Sequence, residues 1–214
     1  MNRRLNIKAI GDFPKDAESA WELTEDEDES ADDKIDYNIT LGNEKIVFIK
    51  AGAGGSARGH GDKYAKMAER IHERTDATVI TASNPMDLVC DDSDVREILG
   101  VVERMGFEHF ELYLVGLSDG AYLNLDLAKQ FTQTRKWIGI NPSFIEMSDF
   151  EARLKALPSV SKLLIYGTED DDLDEVLPTL NEMKCENLSL KFVEGADHSF
   201  TDMLDELIAL AGYI

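Results

Sequence analysis

The chain has 214 residues and a net charge of −21. That length is enough for one domain with a sizeable hydrophobic core. The negative charge disfavours nucleic acids and anionic membranes as partners, because both attract basic surfaces. No apolar run approaches the length of a membrane-spanning helix, and the N-terminus lacks the apolar segment of a signal peptide. We therefore expect a single cytoplasmic domain over residues 1–214, with no nucleic-acid partner and no membrane partner.

Neither the cysteines nor the N-terminal acidic residues form a recognisable metal site. Cys90 and Cys185 have no partner at metal-ligand spacing, and we interpret them as free thiols, with a single disulfide as the alternative. Residues 15–34 are crowded with Asp and Glu. We expect a solvated, mobile loop there, although such a cluster is also able to bind a metal. We expect no catalytic metal and no cofactor.

Short apolar segments alternate with helical patterns along the chain. The apolar or alternating segments predict strands at residues 4–10, 35–41, 46–49, 78–81, 112–115, 137–140, 163–166 and 188–193. Helical spacing predicts helices at residues 62–74, 92–104, 149–156 and 201–211, another that starts near Pro178, and one after residue 120. This alternation predicts an α/β fold: a doubly wound, mostly parallel sheet of about eight strands with helices on both faces.

A glycine-rich loop, residues 51–59, follows the predicted strand at residues 46–49 and leads into a helix. A phosphate-binding loop is one interpretation of such a segment. However, the loop lacks the Gly-Lys-Ser/Thr ending of a P-loop and the spacing of a dinucleotide fingerprint. A loop of this kind also places backbone N–H groups where they can stabilise a developing oxyanion.

Residues 116–120 read G-L-S-D-G, a G-x-S-x-G motif centred on Ser118. The motif lies between a buried apolar run and a helical pattern. Strand, tight turn and helix form the context of a nucleophile elbow, in which the serine hydroxyl is raised above the sheet. Gly116 and Gly120 are needed there because the strand and the helix approach so closely that a Cβ atom would clash.

Three chemically active residues each follow a predicted strand, in the order Ser118, Asp170, His198. In doubly wound sheets, ligands bind beyond the carboxyl ends of the strands. A serine hydroxyl is a poor nucleophile until a base takes its proton. A histidine is an effective base when a carboxylate fixes its tautomer and stabilises the imidazolium ion. The chain supplies one candidate for each of these roles.

Together these motifs resemble those of the α/β-hydrolase superfamily, and in particular of its dienelactone-hydrolase and esterase-like members without a large cap domain. The resemblance covers nearly the whole chain. It implies a catalytic triad with Ser118 as the nucleophile, Asp170 as the acid and His198 as the base. Asp171 and Asp172 remain alternatives for the acid, and Ser118 could be a structural serine in a fold that has lost its activity.

The same resemblance implies an oxyanion hole made by the backbone N–H groups of Ala53 and Asp119. One departure is Ala51, where many members carry a histidine that supports the loop. His60 directly follows the glycine-rich loop. It could line a pocket, but we favour a loop histidine without a catalytic role.

These observations favour a serine hydrolase that acts through an acyl-enzyme, most simply on small carboxylic esters. A peptidase or a thioesterase of the same fold is a neighbouring interpretation, and a catalytically silent binding protein is the alternative from another class. Only about twenty residues separate the predicted strands at 137–140 and 163–166. Because they cannot hold a large cap domain, we expect an open, shallow pocket for a small-molecule acyl substrate. The oligomeric state is not indicated by the sequence.

Overall fold

The computed structural model describes residues 34–85, 92–143 and 147–214. The predicted strand at residues 4–10, Cys90 and residues 15–33 of the predicted acidic loop lie outside these ranges. Cys185 is a free, half-buried thiol, and burial raises its pKa above the ordinary value.

Seven strands of the described residues form one sheet, in the order β1-β3-β2-β4-β5-β6-β7. The antiparallel edge strand β1 pairs with β3, and every other neighbouring pair is parallel. This confirms the predicted doubly wound, mostly parallel sheet. The strands are β1 Tyr37–Thr40, β2 Asn43–Lys50, β3 Ala77–Ala82, β4 Glu111–Leu117, β5 Thr134–Ile140, β6 Ser161–Gly167 and β7 Leu188–Val193.

The described residues also form six α-helices, of which five connect successive strands and the last follows β7. Three of the helices, α1, α2 and α4, begin and end within two residues of the predicted bounds. None of the described helices is long and apolar enough to cross a bilayer. The final helix is shorter than predicted: it begins at Leu204 rather than at residue 201, and after Ala209 the chain continues into a 3-10 turn at Leu210–Tyr213. The helices are α1 Lys63–Thr75, α2 Ser93–Met105, α3 Asp119–Gln130, α4 Met147–Lys155, α5 Leu173–Glu182 and α6 Leu204–Ala209.

The prediction that α5 starts near Pro178 is wrong. The helix begins at Leu173, and the proline lies inside it. Its first turn is set earlier, where the N–H groups of Leu173 and Val176 donate to the carbonyl oxygens of Asp170 and Asp172. Leu173 and Val176 are both buried against the sheet. Burial of these two side chains ahead of the proline outweighs the loss of the one intrahelical hydrogen bond that a proline cannot make.

Helices cover the sheet on both faces and bury a separate apolar layer on each. Helices α1 and α6 pack on one face, and α2, α3, α4 and α5 pack on the other. The largest fully buried side chain is that of Trp137 on β5. Its indole N–H donates to the carbonyl oxygen of Ala121 at 3.0 Å, which joins the centre of the sheet to the first turn of α3. Because β2 and β4 to β7 run parallel, their carboxyl ends meet at one edge of the sheet.

Candidate active site

Ser118 lies in a sharp turn between β4 and α3, with backbone angles of φ 52° and ψ −129°. Residues other than glycine rarely adopt such a positive φ, so the surrounding structure must hold the turn. A Cβ at Gly116 would lie 2.3 Å from the Cα of Ala121, and one at Gly120 would lie 2.2 Å from the carbonyl oxygen of Ala51. Both elbow positions therefore require glycine, as the motif predicts.

The structure brings the three sequence-predicted side chains together at the carboxyl edge of the sheet. Nε2 of His198 lies 3.0 Å from Oγ of Ser118, and Nδ1 of the same ring lies 2.8 Å from Oδ2 of Asp170. These hydrogen bonds join residues that are 80 and 28 positions apart in the chain. The imidazole can therefore accept a proton from the serine while its other nitrogen donates to the carboxylate.

Asp170 is the acidic residue that contacts the histidine. It is buried, whereas its neighbours Asp171 and Asp172 are exposed. The backbone N–H of Asp172 donates to Oδ1 of Asp170 at 2.9 Å, which leaves Oδ2 for His198. Two hydrogen bonds to different oxygens hold the carboxylate in one orientation.

The Asp170 carboxylate raises the pKa of His198 above its ordinary value, first through their hydrogen bond and also through its charge. Burial of the ring opposes this shift. Asp172 and Asp119 add smaller effects in the same direction as Asp170, because their negative charges favour the imidazolium ion. A positively charged ring is therefore stabilised at this position.

Asn141 joins the two loops that carry the acid and the base. It is buried just after β5, with a φ of 42°. Its Nδ2 donates to the carbonyl oxygens of Asp197 and His198, at 3.1 and 2.9 Å, and its Oδ1 accepts from the N–H of Gly167 at 2.8 Å. One amide thus satisfies backbone groups from both loops and fixes the distance between them.

A second hydroxyl lies beside the candidate nucleophile. Oγ of Ser143 is 2.9 Å from Oγ of Ser118, and Ser143 is half-buried two residues after Asn141. When Ser118 donates its proton to His198, the Ser143 hydroxyl can donate to the Ser118 oxygen. The nucleophile then has a fixed hydrogen-bond partner on each of two sides.

The glycine-rich loop passes close to the elbow. Its residues 52–55 form a tight turn, closed by a 2.9 Å hydrogen bond from the N–H of Gly55 to the carbonyl oxygen of Gly52, with Gly54 at φ 68°. A Cβ at Gly52 would lie 3.0 Å from the Cβ of Ser118. The N–H groups of Ala53 and Asp119 donate to no other backbone group among the described residues.

One group of described residues is close enough to bind a metal ion, and it belongs to this same site. Ligand atoms of Asp170, Asp172 and His198 lie within 4.8 Å of one another. Two of these residues already share a hydrogen bond, and a metal ion on those same atoms would have to displace the proton between them. The donor set therefore fits a hydrogen-bonded acid–base pair better than a metal centre.

Known proteins match this chain in structure but not in sequence. No protein-family model matches it, and no curated protein does. An α/β serine hydrolase homologue from Coxiella burnetii superposes with a TM-score of 0.62 at 17% identity, over 83% of this chain and 89% of that one. An α/β serine hydrolase without a lid from Xanthomonas campestris gives 0.62 at 21%, over 84% and 87%. Est1E from Butyrivibrio proteoclasticus, with bound ferulic acid, gives 0.62 at 14%, over 85% and 95%.

The chain has the α/β-hydrolase fold. The sequence interpretation did not identify Asn141 and Ser143 as residues of the candidate site. Their signal was position, because both directly follow a predicted strand at the edge where the other candidates lie. His60, by contrast, is exposed, and the acid–base hydrogen bonds do not involve it.

Proposed function

We propose that this α/β-hydrolase-fold protein is a serine hydrolase in which Ser118, His198 and Asp170 form a catalytic triad. The observation that supports this most directly is the pair of hydrogen bonds, 3.0 and 2.8 Å long, that runs from the serine through the imidazole to the carboxylate. Nε2 of the ring faces the serine oxygen whose proton it would accept, and Nδ1 faces the carboxylate. The strained backbone of the serine adds to this, because such strain is concentrated at functional sites.

The first half of the proposed reaction forms an acyl-enzyme. Nε2 of His198 takes the proton of Ser118 while Oγ of the serine attacks the substrate carbonyl carbon. The negative charge of Asp170 stabilises the imidazolium ion that forms, consistent with the raised pKa of His198. The imidazolium then donates its proton to the leaving group, the carbon–oxygen bond of the ester breaks, and the acyl group remains on the serine.

Negative charge that develops on the carbonyl oxygen needs hydrogen-bond donors in a fixed position. We assign this role to the backbone N–H groups of Ala53 and Asp119. Asp119 directly follows the serine and begins α3, and Ala53 follows Gly52, the loop residue that approaches the Cβ of Ser118. The N-terminus of a helix also carries a partial positive charge, which favours an oxyanion at that point. Preorganised donors of this kind commonly supply the largest single part of such catalysis.

The second half of the reaction returns the enzyme to its starting state. His198 takes a proton from water, and the hydroxide attacks the carbonyl carbon of the acyl-enzyme. The same two N–H groups stabilise the second tetrahedral intermediate. The imidazolium then returns its proton to Oγ of Ser118 as the carboxylic acid product leaves. Every proton taken by the ring is given back within one cycle.

Small carboxylic esters are the proposed substrates. The segment between β5 and β6 holds one short helix, α4, among its described residues, so it leaves no room for a large cap domain. The carboxylates of Asp119 and Asp172 act on His198 through their charge, and the chain as a whole carries a charge of −21. Neutral or cationic substrates are therefore favoured over polyanionic ones.

The first test is covalent labelling with a fluorophosphonate probe, comparing the wild type with Ser118→Ala and His198→Ala. The probe reacts only with an activated serine, so we expect the wild type to be labelled and both variants to remain unlabelled. A series of short-chain aryl esters then measures kcat/KM against acyl length. A folded wild type that takes up no label and hydrolyses no ester would contradict the proposal and favour a catalytically silent binding protein.

A further inference from the structure

Asn84 is a buried polar residue that the proposed reaction does not use. It follows β3 and is only 2% exposed. Asn84 is far from Ser118 in the sequence, and it is not one of the proposed acid–base residues. A buried amide of this kind is retained where its hydrogen bonds fix a specific backbone conformation.

The contacts of Asn84 reach both ends of the tight turn in the glycine-rich loop. Its Nδ2 donates to the carbonyl oxygen of Ala51 at 3.1 Å, and its backbone N–H donates to the carbonyl oxygen of Gly55 at 2.9 Å. Ala53 lies between these two contacts in the sequence. One residue therefore holds the turn at both sides of the N–H group assigned to the oxyanion.

The carbonyl group of Ala51 also faces the nucleophile elbow. Its oxygen lies where a Cβ at Gly120 would be only 2.2 Å away. Burial raises the pKa of the Tyr64 phenol to about 12, and the backbone of the following residue, Gly52, partly offsets that rise. Rotation of the Ala51 carbonyl away from Asn84 would therefore disturb both the elbow contact and the next peptide group.

We propose that Asn84 is a positioning residue that orients the glycine-rich loop so that the Ala53 N–H points at the oxyanion. This inference rests on the proposed serine hydrolase function. Asn84 does not touch the substrate. It acts through the Ala51 carbonyl and the Gly55 carbonyl, and its loss should weaken stabilisation of the transition state more than binding of the ground state.

Two substitutions separate the hydrogen bond from the packing of the side chain. Asn84→Ala removes both. Asn84→Asp keeps nearly the same shape but, as a carboxylate, cannot donate to the Ala51 oxygen. The control is Asn43→Ala. Asn43 begins β2, at the opposite end of that strand from Ala51, and its Nδ2 donates to the carbonyl oxygen of Thr75 at 3.0 Å. Both alanine variants thus lose an amide-to-carbonyl hydrogen bond, but only one loses it beside the loop.

Steady-state hydrolysis of an aryl ester gives the decisive measurement. We expect both Asn84 variants to lower kcat by about 10- to 100-fold with little change in KM, since loss of one oxyanion donor lowers kcat by roughly 100- to 1,000-fold and a displaced donor keeps part of its effect. The affinity for a trifluoromethyl ketone, which mimics the tetrahedral intermediate, should fall in parallel. The pH at which kcat/KM declines on the acid side should not move, and Asn43→Ala should keep the wild-type kcat.

Failure of this inference differs from failure of the proposed function. If the wild type is labelled by the fluorophosphonate and the Asn84 variants keep its kcat, the positioning role is wrong while the triad stands. An equal loss of kcat in Asn43→Ala would also overturn it, because the effect would then be one of general stability. If Asn84→Ala does not fold, Asn84→Asp alone decides. If the wild type shows no label and no hydrolysis, both proposals fall.

Discussion

The two flanks of Ser118 are held by different kinds of group. On the histidine flank, the contacts are between side chains that carry charge, Asp170 and His198, and they are supported by the Asn141 amide. On the loop flank, the proposed functional groups are backbone N–H groups, and the Asn84 amide donates to the carbonyl oxygen of Ala51 beside them. In the proposed reaction, the histidine flank depends on protonation, whereas the loop flank depends on backbone position.

This difference explains why the two flanks are not equally visible in the sequence. Only Asp and Glu carry a carboxylate and only His carries an imidazole, so the placement of these residues after strands is informative. A backbone N–H is common to nearly all residue types, so Ala53 carries no chemical signal of its own. The supports on the loop flank become visible only when the distance between Asn84 and Ala51 is known.

The largest expected effect is on the histidine flank. Asp170→Asn keeps the shape of the side chain but places an amide against Nδ1 of His198, which favours the wrong tautomer of the ring. If the proposed triad is correct, we expect kcat to fall about 10,000-fold, as it does in established triads with this substitution. Steady-state kinetics with an aryl ester would measure it. Asp172→Asn is the control because that side chain is exposed. A comparable loss of kcat in this variant would contradict the assignment of Asp170 as the acid.

An intermediate effect is expected at the support of the histidine flank. Asn141→Asp is nearly isosteric, but its carboxylate cannot donate to the carbonyl oxygens of Asp197 and His198. We expect the free energy of unfolding to fall by about 3 kcal/mol, because two partly buried carbonyl groups lose their donor from the buried Asn141 side chain. Urea denaturation would measure the change.

A matched control for this substitution is available at Asn187. That residue also has a positive φ, of 57°, and its Nδ2 donates to the carbonyl oxygen of Pro158 at 2.8 Å, but it is exposed. Asn187→Asp should change the unfolding free energy by less than about 1 kcal/mol, since water replaces the lost donor. Equal losses at the two positions would show that burial of Asn141 does not determine its contribution.

The smallest expected effect is a displacement of the pH profile. His198 must be neutral to act as a base, and its pKa is raised, so kcat/KM should decline as the pH falls through a value above the ordinary 6.5. Asp172→Asn should move this decline to slightly lower pH, because a negative charge that favours the imidazolium ion is removed. A decline below the ordinary histidine value in the wild type would contradict the geometry of the pair.

The same raised pKa has a consequence for stability with the opposite trend. A histidine whose pKa is higher in the folded state than in the unfolded state stabilises the fold most when it is protonated. That contribution is fully present below the unfolded-state pKa and is lost as the pH rises through the folded-state pKa. The proposed activity and this part of the stability should therefore change in opposite directions over the same pH range.

Much of the fold, and the meeting of Ser118, Asp170 and His198 at one edge of the sheet, could be predicted from the sequence for physical reasons. Strands buried on both faces must be apolar along their length, so runs such as that of β4 stand out. The start of α5 could not be predicted, because a local rule about Pro178 competes with burial of Leu173, which depends on the tertiary structure. Ser143 was missed for a similar reason: a serine after a strand becomes informative only when its distance to Ser118 is known.

Trp137 offers a built-in optical probe of the nucleophile elbow. The chain contains two tryptophans, and a Trp21→Phe substitution would leave the indole of Trp137 as the sole one. That ring is fully buried and bonds to Ala121, three residues after the candidate nucleophile. Its fluorescence would therefore report on solvent access and packing at the first turn of α3, which follows Ser118. Loosening of the elbow could be followed in real time, without an attached dye, in the same cuvette as an ester hydrolysis assay.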